Sequence, residues 1–200
     1  MSPQLPPFTC ALIGGDTLLI QCGEVLRARG HSIVAVVTSA PRIAAWARGN
    51  GLRVIEAQPG YSAELAAEPF DHLFSITHLA LIPEDVLRLP RKGAINFHDG
   101  PLPDFAGLYT PAWALVRGAQ RYGITWHTIE DGIDEGDMLA QHMFDLSDEE
   151  TSLSLNTRCF EAGLTAFGEL VDQLAAGRVT RTPQDLTRRE YFGKHARPSG

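Results

Sequence analysis

Residues 32–38 read Ser-Ile-Val-Ala-Val-Val-Thr, an almost unbroken β-branched run. A strand with one face in water alternates apolar and polar side chains, so a run without alternation belongs to a strand covered on both faces. Upstream, residues 8–13 form another short apolar run that stops at Gly14-Gly15, and residues 17–29 carry apolar side chains at helical spacing up to Gly30. Strand, helix and strand in that order make a βαβ unit, which commits the start of the chain to a parallel sheet.

The same alternation of patterns continues downstream. Helical spacing recurs over 41–48, 62–68, 110–117 and 152–176, with a helical turn over 83–87 opened by Pro83. Strands are expected at 53–56, 72–76 and 93–98, and 122–129 should pair antiparallel with 138–144 around a loop at 131–137. The expected fold class is therefore α/β, a Rossmann-like, doubly wound mixed sheet. Residues 1–7 read as a disordered N-terminus and 8–177 as a single domain. Residues 178–200 are polar, Arg-rich and broken by Pro183 and Pro198. They read as a linker or tail that ends the chain or leads into a further domain.

Composition narrows the function classes. Two hundred residues at 44% hydrophobic and 20% charged describe an ordinary globular chain with a core of its own. The net charge of −7 argues against a large nucleic-acid footprint, so no nucleic-acid partner is expected. The apolar runs are too short to span a bilayer, and the N-terminus lacks the basic start and apolar core of a signal peptide. Cys10, Cys22 and Cys159 have no metal-binding spacing, and three cysteines make no disulfide framework; reduced core thiols and a cytoplasmic location are expected.

The chemistry concentrates between Ala94 and Asp137. On a strand over 93–98, Asn96 and His98 point to one face. A carboxamide N–H beside an imidazole is a donor pair suited to negative charge developing on an oxygen. An Asp in the Gly-rich loop around Asp134 could orient or charge that His. Gly14-Gly15-Asp16 follows the first strand but is neither a dinucleotide fingerprint nor a P-loop, so it reads as a tight turn. His31, His72 and His195 sit near element ends and read as surface residues, and His142 as half-exposed. His78 follows a strand at its carboxyl end, where open α/β sheets place ligands. A metal cluster of His98, Asp99, His127 and Asp134 is the competing reading, without a supporting spacing.

These residues carry a resemblance. Asn96-Phe97-His98, then Leu102-Pro103, Gly107, Gly123-Ile124-Thr125-Trp126-His127 and Asp134-Glu135-Gly136-Asp137 resemble the folate-dependent formyltransferase family over about residues 8–176. The resemblance implies transfer of a formyl group from 10-formyltetrahydrofolate to a primary amine. It implies catalysis by Asn96, His98 and Asp134, with His127 behind them. It also implies a folate held against Leu79, Leu81, Ile82 and Pro83 and against Glu130, Gly132 and Ile133. For want of a ligand spacing, no metal is expected. Asp99-Gly100-Pro101 departs from the family pattern beside the acceptor.

Residues 13–22 and Tyr191-Phe192-Gly193-Lys194 look most like the N-terminal formyltransferase domains of natural-product synthetases. An aminoacyl group on a carrier protein is then one expected acceptor, and an amino sugar or other free amine another. Hydrolysis of 10-formyltetrahydrofolate and a silent folate-binding or docking domain stand as alternatives.

Overall fold

The computed structural model describes residues 5–195 and Pro198. Two compact units emerge, one taking the chain up to Asn96 together with Val171–Arg178, the other taking Phe97–Leu170 and the chain from Val179.

The first unit is built from β1 (Thr9–Gly14), α1 (Thr17–Ala28), β2 (Ser32–Val37), α2 (Pro41–Gly49), β3 (Val54–Ile55), α3 (Ser62–Leu65), β4 (His72–Ile76), α4 (Glu84–Leu87) and the first three residues of β5 (Ala94–His98). Its strand order is β3-β2-β1-β4-β5, every pair parallel. The non-alternating runs are the reason: Ile33–Val37 of β2 and all five residues of β4 are buried, as expected for strands with no solvent face. Asp16 caps α1 by accepting from the Thr17 N–H at 2.6 Å, and Leu18, Leu19, Cys22 and Leu26 turn one stripe into the core. Gly23 leaves room for Trp46 of α2; a Cβ there would lie 2.3 Å from the indole. Gly14 is required for a similar reason, since a Cβ would meet the Ile76 carbonyl of β4 at 1.8 Å. Gly14 thus serves the tight passage out of β1, whereas a Cβ at Gly15 would meet only Ala40, at 4.0 Å.

The second unit continues from β5 with β6 (Ala106–Gly107), α5 (Thr110–Val116), β7 (Arg121–Thr128), β8 (Met138–Asp145) and most of α6 (Ser152–Ala175). Here the strand order is β5-β7-β8, and β7 and β8 are antiparallel. Trp126 is fully buried against Phe97 (centroids 5.3 Å) and Phe167 (4.8 Å), and its indole N–H donates to the Gly163 carbonyl at 3.0 Å. Cys10, Cys22 and Cys159 are buried free thiols, and no described helix is long and apolar enough to cross a membrane.

Two expectations need correction. The polar stretch after residue 178 has elements of its own: Thr182 bridges to Met138, Leu186–Arg188 form a 3-10 turn, and β9 (Tyr191–Phe192) pairs with β6. Phe192 anchors it, stacked on Trp113 (5.1 Å) and Phe105 (5.8 Å) with the Arg117 guanidinium 4.7 Å above its ring. The N-terminal expectation falls partly outside the described residues, at Met1–Gln4.

The second correction concerns histidines. His31 and His72 are buried, only 7% and 3% exposed, while His142 is exposed on edge strand β8. Phe8 is the cause: its ring stacks on His31 at 3.8 Å and meets the edge of His72 at 5.1 Å, and its N–H donates to His31 Nδ1 at 3.2 Å. A nitrogen that accepts carries no proton, so His31 sits here as a neutral ring. Burial, reinforced by Lys92, pushes His72 from 6.5 down to about 4. A depressed histidine stabilises the fold fully above its unfolded value and loses that contribution as protons bind the unfolded chain below it. Denaturant unfolding should therefore show stability falling between pH 6.5 and 4 by an amount on the order of 3 kcal/mol from this residue. His72→Phe should flatten that part of the curve; an unchanged slope would contradict the assignment.

Candidate active site

Strand β5 sets the first two groups. Asn96 lies half-buried in register with Ser75 of β4, and His98 stands two residues on, where the pleat returns to the same face, 5% exposed. In the second unit, His98 is pinned from both ring nitrogens. Its Nε2 donates to the Phe105 carbonyl at 2.5 Å, and its Nδ1 faces Asp134 Oδ2 at 3.6 Å. The first contact depends on Gly100: a Cβ at that position would lie 2.7 Å from the Phe105 oxygen and 2.9 Å from His98 Nε2. Gly100, lacking a Cβ, thus lets the 105 carbonyl reach the imidazole.

The segment carrying Gly100 is held firmly. Tyr122 donates its hydroxyl to the Asp99 carbonyl at 2.8 Å, Thr125 donates to the Gly100 carbonyl at 2.9 Å, and Gln141 donates to the Leu102 carbonyl at 2.9 Å. Asp99 itself accepts from the Thr110 hydroxyl at 3.0 Å. It belongs to this scaffold, and among the described residues no group of three His, Cys, Asp or Glu is arranged to hold a metal ion.

His127 reaches the same carboxylate. Its Nε2 lies 3.4 Å from Asp134 Oδ1, and its Nδ1 donates to the Thr128 carbonyl at 2.8 Å. The β7–β8 register shifts between Trp126 and His127, an irregularity of the kind that re-aims a side chain. Both histidines therefore give one N–H to a backbone carbonyl and turn the other nitrogen to Asp134. The carboxylate attracts either ring most strongly when that ring also carries its second proton.

Asp134 sits on a strained turn with φ +56, a conformation that short polar side chains tolerate best. Gly136 makes the turn possible, since a Cβ there would meet the Thr128 carbonyl at 1.9 Å. The Gly107 N–H donates to Asp134 Oδ2 at 2.8 Å. Burial alone would raise the Asp134 carboxyl. The charge of His98, the His127 contact and the Gly107 N–H outweigh it and hold the group well below its ordinary 3.8.

The remaining expected residues have the following places. Leu79 and Leu81 are strongly exposed (85% and 79%) on the loop after β4, Ile82 is half-buried, and the Pro83 carbonyl accepts the N–H groups of Val86 and Leu87 in α4. His78, on the same loop, is half-buried and pushed down by that burial. Glu130 accepts from the Thr128 hydroxyl at 3.0 Å, Gly132 leaves no room for a Cβ beside the Glu135 carboxylate, and Ile133 is 42% exposed. An open recess of about 420 Å³ is lined by Glu130, Asp131, Gly132, Glu135 and Leu186.

Sequence reasoning missed the Phe105 carbonyl and assigned no role to Gly107, Gln184 or Arg189. Gly107 stood in the quoted motif, which was the one available signal; backbone acceptors leave none. Because the Asp134 carboxyl is depressed, its contribution to stability is complete above about pH 3.8 and is lost as pH falls further. Asp134→Asn should flatten the acid limb of a denaturant-unfolding series below pH 4, and an acid limb as steep as in the unaltered protein would contradict the pairing.

Comparison with known proteins follows the same line. The model of the family described as Formyl transferase matches residues 20–171. A methionyl-tRNA formyltransferase of Anaeromyxobacter dehalogenans (strain 2CP-C) is 30% identical over 191 residues, covering 88% of this chain and 61% of the relative. One from Geobacter metallireducens is 29% identical, with 90% and 60% covered. The chain thus spans about three fifths of the length of these curated relatives. Among solved structures, glycinamide ribonucleotide transformylase 1 from Symbiobacterium toebii matches with TM-score 0.78 at 21% identity, covering 90% of this chain and 95% of that one. An N-formyltransferase from Helicobacter canadensis, in complex with folinic acid and dTDP-3-aminofucose, matches with TM-score 0.81 at 17% identity, covering 96% and 72%. At such identities these likenesses establish the fold, and the family match establishes the rest: the chain belongs to the formyl transferase family.

Proposed function

We propose that this chain transfers a formyl group from 10-formyltetrahydrofolate to the α-amine of an aminoacyl group. The observation that carries the reading is the half-buried Asp134 carboxylate facing His98, with Asn96 two residues before His98 on the same strand. The amine nitrogen attacks the formyl carbon and a carbon–nitrogen bond forms, leaving a tetrahedral oxyanion. Asn96 offers a fixed N–H to that oxygen. His98 Nε2–H, which Phe105 receives in this structure, is the second donor. Each such donor is worth about 3 kcal/mol of barrier. The intermediate collapses by breaking the bond from the formyl carbon to N10 of the folate. The proton lost by the amine passes to N10, with Asp134 as the neighbouring base that balances charge on His98. The products are the N-formyl compound and tetrahydrofolate.

Two supports favour an aminoacyl acceptor. The curated relatives are named methionyl-tRNA formyltransferases. The start of the chain and its Tyr191-Phe192-Gly193-Lys194 stretch also resemble domains that work beside carrier proteins. The two carriers share the α-amine and differ in what bears it. We place the folate against Leu79, Leu81, Ile82 and Pro83 and against Glu130, Gly132 and Ile133, as the family resemblance implies; the exposure of Leu79 and Leu81 suits a flat aromatic ligand.

Tetrahydrofolate release from 10-formyltetrahydrofolate, followed by absorbance, tests this with methionyl-tRNA, an aminoacyl carrier protein, an amino sugar and no amine. The expected result is release that requires an aminoacyl acceptor and falls about 10²–10³-fold in His98→Ala. Release without amine would indicate a hydrolase, release with the amino sugar alone would move the acceptor class, and folate binding without release would indicate a binding domain.

A further inference from the structure

We infer that Gln184 and Arg189, on the stretch between Thr182 and β9, are positioning residues for Asp134, fixing the turn that aims its carboxylate at His98. This rests on the formyl-transfer reading given above. Gln184 Nε2 donates to two carbonyls of that turn, Asp134 O at 2.8 Å and Gly136 O at 2.6 Å. Arg189 donates from Nη2 to the Ile133 carbonyl at 2.8 Å and brings its Nε to within 3.3 Å of Glu135. Two side chains thus hold the backbone immediately before, at and just after Asp134.

The same stretch also reaches the carboxylate itself. β9 pairs Phe192 with Gly107, the Leu108 N–H donates to the Phe192 carbonyl at 2.9 Å, and Gly107 is the residue whose N–H donates to Asp134 Oδ2. Gly107 has φ +99, and a Cβ there would lie 2.2 Å from the Phe192 carbonyl, so β6 and β9 can approach this closely only with glycine. Arg188 adds an anchor to Asp104 at 2.6 Å. Asp134 is therefore gripped at its backbone by Gln184 and at its carboxylate by an amide that β9 sets in place. A turn at positive φ, left without these bonds, has other conformations open to it, and in them the carboxylate leaves the imidazole.

A merely structural role for Gln184 would lower stability and leave the turnover of folded protein alone. A positioning role predicts a different pattern, because its effect passes through Asp134. Gln184→Leu removes both donated bonds and keeps the bulk. Its kcat for formyl transfer should fall tenfold or more, with the KM for the folate donor within twofold. In an Asp134→Ala background the same substitution should cost less than twofold, since nothing remains to be aimed. Arg189→Met should behave likewise, and Arg189→Lys, which keeps a donor, should recover part of the loss.

Independently of turnover, the His98 imidazole resonances in NMR spectra of Gln184→Leu should move in the direction seen in Asp134→Asn. Equal losses in both backgrounds, or unmoved His98 resonances, would overturn the proposal. If the unaltered protein releases no tetrahydrofolate with any amine, the formyl-transfer reading fails, and the resonances alone still decide whether these residues position Asp134. Should Gln184→Leu fail to fold, the Arg189 variants provide the same comparison.

Discussion

One half-buried carboxylate receives two imidazoles. Asp134 faces His98 with one oxygen and His127 with the other, and takes a backbone N–H from Gly107 as well. Taking a carboxylate out of water is costly unless partners replace the lost hydration, and leaving it with too few is worse. The second unit supplies those partners from separate places: the end of β5, the bulged end of β7 and the short strand β6. Their requirements explain several otherwise arbitrary residues. Gly107 must be glycine to approach β9, Gly136 must be glycine for the turn to close on Thr128, and Gly100 must be glycine for Phe105 to reach His98.

Each histidine is also committed on its far side. The carbonyls of Phe105 and Thr128 take one N–H from each ring. Ring orientation is therefore set by peptide groups, which no side-chain substitution removes, and the direction of the other nitrogen is fixed before any ligand arrives. What is set in advance is the pairing of each ring with Asp134; to serve as a donor to substrate, the His98 Nε2–H must exchange the Phe105 carbonyl for the substrate oxygen. The hydroxyl of Thr125, which accepts from the Leu102 N–H and donates to the Gly100 carbonyl, ties the intervening loop to β7 and extends that rigidity one layer outward.

Much of this architecture was legible in the sequence, and the reasons are specific. The run at 32–38 could belong only to a strand buried on both faces, and β2 is such a strand. The hairpin of β7 and β8 followed from the spacing around the Gly-rich loop. Asn96 and His98 followed from the two-residue repeat of a strand, and Asp134 from its Gly-rich loop as a carboxylate free to return to that imidazole, whereas the place of His127 behind them came from the motif resemblance. What stayed hidden depends on distant partners. His31 and His72 looked like surface residues because their burial comes from Phe8, 23 and 64 positions away in the chain. β9 is two residues long and surrounded by arginines, so no periodicity marks it. The Phe105 carbonyl is a backbone atom, and residue identity says nothing about where such an atom points.

The account stands on the charge of one side chain in one place. Asp134→Asn keeps the shape of the residue and removes that charge, so steady-state formyl transfer by this variant, compared with the unaltered protein at neutral pH, is the most direct measurement. A loss of about 10²–10³-fold in kcat with a nearly unchanged KM for the folate is the predicted result, since the interaction is spent on the transition state. Turnover within a few fold of the unaltered protein would contradict the account.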